Sequence, residues 1–102
     1  MAEYRLTSRA LRDLTAIVTY LTKEATPAIS LRTEDRLFAL FASLAKNPGI
    51  GHRRSDITPR NVRFHPMRPY MVIYEPDISP ILIHAVLHSA RDLKTILSRR
   101  LP

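Results

Sequence analysis

Hydrophobic spacing divides the chain into a helical half and a strand half. Glu3 to Leu6, "EYRL", reads as a short first strand, and Ser8 is a suitable N-cap for the segment that follows. Leu11, Leu14, Ile17, Val18 and Leu21 then recur at helical spacing, predicting an amphipathic helix from Arg9 to about Lys23. Thr26-Pro27 restarts the chain as cap and first helical residue, since proline's missing N–H has no partner there anyway. Leu37, Leu40, Phe41 and Leu44 mark the inward face of a second helix ending near Lys46, where Asn47-Pro48-Gly49 stops it. The short link between the helices predicts an antiparallel hairpin. Leu31, Phe38 and Ala42 fall on another side of the second helix, so it is apolar around much of its circumference. They suit either burial on two sides or a groove for a partner, and the partner reading is the one carried forward.

From residue 50 the period changes. "IGHRRSDITPRN" reads as a loop, and "VRFH" from Val62 to His65 alternates as a half-exposed strand does. "PMRP" reads as a turn, because neither Pro66 nor Pro69 can donate to a ladder. Tyr70 to Glu75 is rich in aromatic and β-branched residues and predicts a strand. Ile81 to His88 is apolar almost throughout, as a central strand covered on both faces would be. Leu93, Ile96 and Leu97 predict a last short helix, with a frayed basic tail from Ser98 to Pro102. The order predicts an α+β domain over residues 1–102. Its helical hairpin covers one face of a mainly antiparallel sheet whose three later strands form a meander.

Composition narrows the function classes. A chain of 102 residues fits one domain, and the absence of cysteine excludes disulfides and thiolate metal sites. No long apolar segment follows the N-terminus and no stretch is long enough to span a bilayer, so a cytoplasmic protein without membrane partners is expected. The net charge is +7, with 16 basic residues against 9 acidic ones. Between Asp56 and Glu75 there is no acid, only Arg60, Arg63, Arg68 and His65. Such a field favours an anionic partner, and arginine is the residue of bidentate recognition.

Catalytic motifs are scarce. There is no glycine-rich phosphate loop, no nucleophile elbow and no metal-binding histidine pair. His84 and His88, four apart on a strand, should share a side at about 13 Å, too far to share an ion. No metal or cofactor is expected. His88, Arg91, Arg63 and Arg53 could together cleave RNA, activating the 2′-hydroxyl and stabilising the phosphorane. The competing reading makes "HSARDL" a strand-to-helix junction, with Asp92 favoured by the unpaired N–H groups of the last helix.

Four ordered motifs resemble the ParE/RelE superfamily of type II toxins. Ala10, Asp13, Leu14, Ile17 and Tyr20 match an Ala-x-x-Asp-Leu-x-x-Ile-x-x-Tyr helix, and Pro48, Gly51, Arg54 and Asp56 a Pro-x-x-Gly-x-x-Arg-x-Asp loop. "VRFHPMRPYMVIYE" resembles the arginine–phenylalanine strand followed by Tyr-x-Val-x-Tyr, and "ILIHAVLHSARDLKTIL" the closing Val-x-His-x-x-Arg-Asp-Leu. The resemblance implies a toxin neutralised by a small DNA-binding antitoxin, ParD-like or of another type, in a hetero-oligomer. The antitoxin's C-terminal segment would fold against apolar surface such as Leu31, Phe38 and Ala42. Of the superfamily's two activities, the Arg-Asp-Leu ending is the ParE-like one. It implies inhibition of DNA gyrase by binding, with no catalytic residues, and contacts to gyrase with or without its DNA through Arg60, Arg63, Arg68, Arg99 and Arg100. The alternative is a RelE-like ribosome-dependent mRNA endonuclease using His88, Arg91 and Arg63.

Overall fold

The computed structural model describes residues 3–102. In order, the elements are β1 (Tyr4–Leu6), α1 (Ser8–Glu24), α2 (Pro27–Lys46), β2 (Arg63–Met67), β3 (Tyr70–Glu75), β4 (Ile81–His88) and α3 (Leu93–Arg100). The strands form one sheet in the order β1-β4-β3-β2. β2, β3 and β4 make the antiparallel meander expected, while β1 pairs parallel with β4, placing β4 in the interior of the sheet.

Both helices of the hairpin are capped by threonine. Thr26 Oγ1 accepts from the Ile29 N–H at 3.1 Å, with Pro27 opening α2 as its chemistry predicts. At α1 the cap is Thr7, not Ser8: Thr7 Oγ1 accepts from the Ala10 N–H at 3.0 Å, and Ser8 is already helical. Either hydroxyl could serve, and Thr7 is selected because its own N–H donates to Ile83 O at 3.0 Å, fixing it beside β4 as the helix begins. The hairpin is closed by Ser30, whose hydroxyl donates to Val18 O at 3.0 Å and accepts from Thr22 Oγ1 at 2.9 Å.

Two cores form, one on each face of the sheet. On one face α1 and α2 press Ala10, Leu14, Leu37, Phe41 and Leu44 onto Val72, Tyr74, Ile83 and Val86. On the other, Leu97 of α3 packs with Val62, Phe64, Ile73, Ala85 and Leu87. Burial on both faces is why β4 is apolar almost throughout. Leu11, assigned to the inward stripe from sequence, is instead 56% exposed. Ala10 takes the buried position, and Leu11 turns to solvent one residue, about 100°, further round the helix.

Three boundaries differ from the sequence expectation. β2 extends to Met67 and includes Pro66, tolerated because β2 is an edge strand. The loop from Ile50 is partly ordered by His52, which exchanges backbone hydrogen bonds with Phe64 at 2.9 and 2.7 Å. The C-terminal segment is not frayed: α3 continues to Arg100, which is held by an ion pair to α1.

Candidate functional site

The sequence-predicted histidine geometry is overturned by a β-bulge. Ile73 pairs with Ala85 and Tyr74 with Ile83, so His84 is the extra residue and alternation slips by one. His84 therefore turns toward the α3 side, beside Val62 and Leu101, where its Nε2 lies 3.0 Å from Glu75 Oε1. His88 falls on the hairpin side, its ring edge-on to Tyr70 at 6.0 Å. The two histidines face opposite sides of the sheet. Among the described residues no group of three histidine, aspartate or glutamate side chains could hold a metal ion.

Nor does the fold bring the proposed RNA-cleaving set together. His88 pairs with Tyr70 at one end of β3, and Arg63 with Tyr74 at the other. Four residues of strand separate them by about 13 Å along the sheet, and β3 lies between their strands. Arg63 is committed to the chain itself, donating to Gly51 O at 2.8 Å and Gly49 O at 3.4 Å. His88 Nδ1 accepts from the Ala90 N–H at 3.1 Å, and the Arg91 N–H donates to His88 O at 3.0 Å. These bonds turn the chain from β4 toward α3. Asp92 then caps α3, accepting from the Thr95 N–H and hydroxyl at 3.2 and 2.7 Å. Those hydrogen bonds hold its carboxyl below the ordinary range.

The loop motif has a structural basis. Tyr74 is fully buried, and its hydroxyl donates to Pro48 O at 2.7 Å while accepting from the Gly51 N–H at 2.9 Å. A Cβ on Gly51 would lie 2.6 Å from that hydroxyl, so the close approach requires glycine. Burial pushes the Tyr74 phenol up, against the lowering effects of the Gly51 hydrogen bond and nearby Arg63. It stays neutral and can donate. Arg54 and Asp56 form an exposed two-point pair at 3.0 and 2.8 Å on the far side of the loop.

The expected contact arginines do not form one patch. Arg60 donates to Pro102 O at 3.1 Å, Arg68 is exposed in the β2–β3 turn, and Arg63 is internally bonded. Arg100 donates to both oxygens of Asp13 at 2.6 and 2.7 Å, with side chains only 16% and 10% exposed. That hydrogen bond raises the guanidinium pKa above its ordinary value, against the lowering effect of burial. Asp13 Oδ2 also accepts from the Val86 N–H at 3.0 Å. β1 covers β4 only as far as Ile83, so beyond it Asp13 takes the place of a neighbouring strand.

This latch brings α3 alongside α1 and creates a basic cleft of about 440 Å³ that sequence reasoning missed. Of the expected contacts only Arg99 and Arg100 line it, joined by Arg9, Arg12 and Arg91. A second cleft, of about 360 Å³, shares Asp13 and Arg91 and is lined by Ile17, Tyr20, Tyr70 and His88. Asp13 carried a signal, an acid on the inward stripe between Ala10 and Ile17. Arg9 and Arg12 carried none, because local spacing does not reveal that the end of α3 meets α1 at the edge of the sheet. On α2, Leu31 and Phe38 are 60% and 39% exposed and Ala42 is exposed with them, an uncovered apolar stripe on that side.

Comparison with curated proteins gives no significant match. The fold is similar to a solved chain of the chromosomal ParDE toxin–antitoxin system from P. aeruginosa. The TM-score is 0.72 and the identity 20%, covering 86% of this chain and 96% of that one. Residues 4–93 match the sequence profile described as "ParE toxin of type II toxin-antitoxin system, parDE". That span takes in the Asp13 helix, the Tyr74-bound loop and the Arg91-Asp92-Leu93 junction, and the chain belongs to the ParE toxin family as the toxin component of a ParDE-type toxin–antitoxin system.

Proposed function

We propose that this toxin arrests growth by binding DNA gyrase, with no catalytic step of its own. His88 and Arg91 share one cleft, and the observation that carries the reading is that Arg63, the third group of an RNA-cleaving set, is not with them. Arg63 is spent on the Gly49 and Gly51 carbonyls, at the opposite end of the sheet from His88. A poison that binds one state of the gyrase–DNA cycle more tightly than the others shifts the population toward that state, and needs only a surface. The α1–α3 cleft, which gathers Arg9, Arg12, Arg91, Arg99 and Arg100, is the cationic surface we assign to that contact. The antitoxin partner is assigned to the apolar stripe of Leu31, Phe38 and Ala42, where an amphipathic segment could bury exposed side chains.

The test is supercoiling of relaxed plasmid by purified gyrase and ATP, with and without the toxin, and with toxin plus antitoxin. Loss of supercoiling with cleaved DNA trapped, relieved by the antitoxin, is the expected result. Unimpaired supercoiling combined with mRNA cleavage on ribosomes would overturn the reading.

A further inference from the structure

We infer that the α1–α3 cleft is a phosphodiester-binding trough, through which the toxin grips the DNA duplex that gyrase holds. The identity of the duplex rests on the gyrase reading; the chemistry of the trough does not.

The first argument is the charge left over once internal pairs are formed. Arg100 and Asp13 neutralise each other. Arg9, Arg12, Arg91 and Arg99 remain around them, and among the described residues their guanidiniums make no hydrogen bond or ion pair. Four unpaired guanidiniums around one concavity repel each other unless an anion lies between them.

The second argument is where two of them sit. Arg9 and Arg12 lie near the start of α1, whose first turn carries no acid. The helix dipole disfavours cations there and favours anions. Arg9, in the first turn, runs against the stability of the helix and adds to its positive end, where the Ala10 and Leu11 N–H groups are already taken by Thr7. At i and i+3 the Arg9 and Arg12 side chains emerge on one face.

The third argument is shape. A third concavity, of about 450 Å³, is lined by Thr7, Ser8 and Arg9 at the N-terminus of α1 and shares Arg9, Arg99 and Arg100 with the α1–α3 cleft. Sharing three arginines, the two lie side by side and together present a basic surface suited to a linear polyanion more than to a single small ion. The two concavities are lined by no phenylalanine, tyrosine or tryptophan, His84 being their one aromatic ring, and Ile96 and Pro102 are their large apolar residues. An acidic peptide would draw its affinity from apolar anchors such as Ile17, Tyr20 and Tyr70, which lie in the neighbouring cleft and outside the two basic concavities. Guanidinium forks match phosphate oxygens two at a time.

Fluorescence anisotropy of a short labelled DNA duplex with the antitoxin-free toxin tests this directly. If all four free arginines meet phosphates, log K should fall with log salt at a slope of about −3.6, roughly a hundredfold loss between 50 and 200 mM salt. R9A/R12A should lower the slope by about 1.8 and weaken binding at least tenfold, while R32A/R36A on α2, removing the same charge, should change neither slope nor affinity appreciably. Three results would overturn the trough: no duplex binding at low salt, equal loss in the two double variants, or equal competition by polyglutamate of matched charge. Supercoiling with wild-type toxin separates the two readings. Gyrase inhibition without duplex binding removes the trough and keeps the gyrase reading; duplex binding at the trough with supercoiling untouched does the reverse.

Discussion

Replacing Asp13 by alanine should destabilise the fold far more than an ordinary helix-surface change. The carboxylate accepts from the Val86 N–H at 3.0 Å and from both Arg100 amino groups at 2.6 and 2.7 Å. Its loss strands a guanidinium that is 16% exposed and orphans a backbone donor at the uncovered edge of β4. Breaking a buried ion pair from one side costs about 3–5 kcal/mol. This pair sits at the rim of a cleft that water can enter, so the lower end applies, about 3 kcal/mol. For a domain of this size that lowers Tm by about 12 °C or more. Asp13→Asn keeps an acceptor for Val86 but removes the charge and turns an amide N–H toward Arg100, so about 2 kcal/mol is expected. Arg100→Ala leaves Asp13 bonded to Val86 and should cost about 2 kcal/mol, with a coupling to Asp13→Ala of about 2 kcal/mol in the double-mutant cycle. Urea unfolding of the five antitoxin-free proteins (wild type, the three single variants and the double variant), followed by circular dichroism, measures all four quantities. The antitoxin must be absent because a ligand of the native state would mask the losses. Additive losses, with coupling below about 0.5 kcal/mol, would refute the claim that the latch joins α3 to the sheet.

Tyr74→Phe orphans the Gly51 N–H and should cost about 1–3 kcal/mol by urea denaturation, with Gly51→Ala similar because its Cβ would strike the Tyr74 hydroxyl; a neutral result for both would remove the Tyr74 clamp from the loop. Asp92 has a lowered native pKa, so its contribution to α3 is fully present above the ordinary carboxylate value near ~4 and is lost as pH falls through the native value. The Thr95 amide shift should therefore titrate with a midpoint below that value, and the step should vanish in Asp92→Asn. Phe38→Glu and Leu31→Glu should weaken antitoxin binding by tenfold or more in calorimetry while leaving Tm near wild type, since both side chains are largely exposed; unchanged affinity would move the antitoxin off that stripe.

What sequence alone determined here is local. Helix and strand periods, the Thr26-Pro27 start and the Asn47-Pro48-Gly49 stop are set by neighbours a few residues away, and they placed the elements within a few residues. The near-continuous apolar run from Ile81 to His88 also announced an interior strand, because burial on both faces leaves no position for polar residues. The uncovered stripe of α2 was legible for the same reason, as apolar positions beyond those the hairpin needed. What tertiary structure decided depends on partners distant in the chain. The cap moved from Ser8 to Thr7 because β4 holds the Thr7 N–H. The sides of His84 and His88 were decided by one residue of bulge, which no alternation pattern records. Asp13 and Arg100, 87 positions apart, met because β1 is too short to cover β4 and its open edge required another acceptor. That meeting tied the end of α3 to α1 across the open edge of β4 and brought Arg9 and Arg12 into one cleft with Arg91 and Arg99. Sequence fixes how much charge a chain carries, but only the packing of elements decides which charges share a surface.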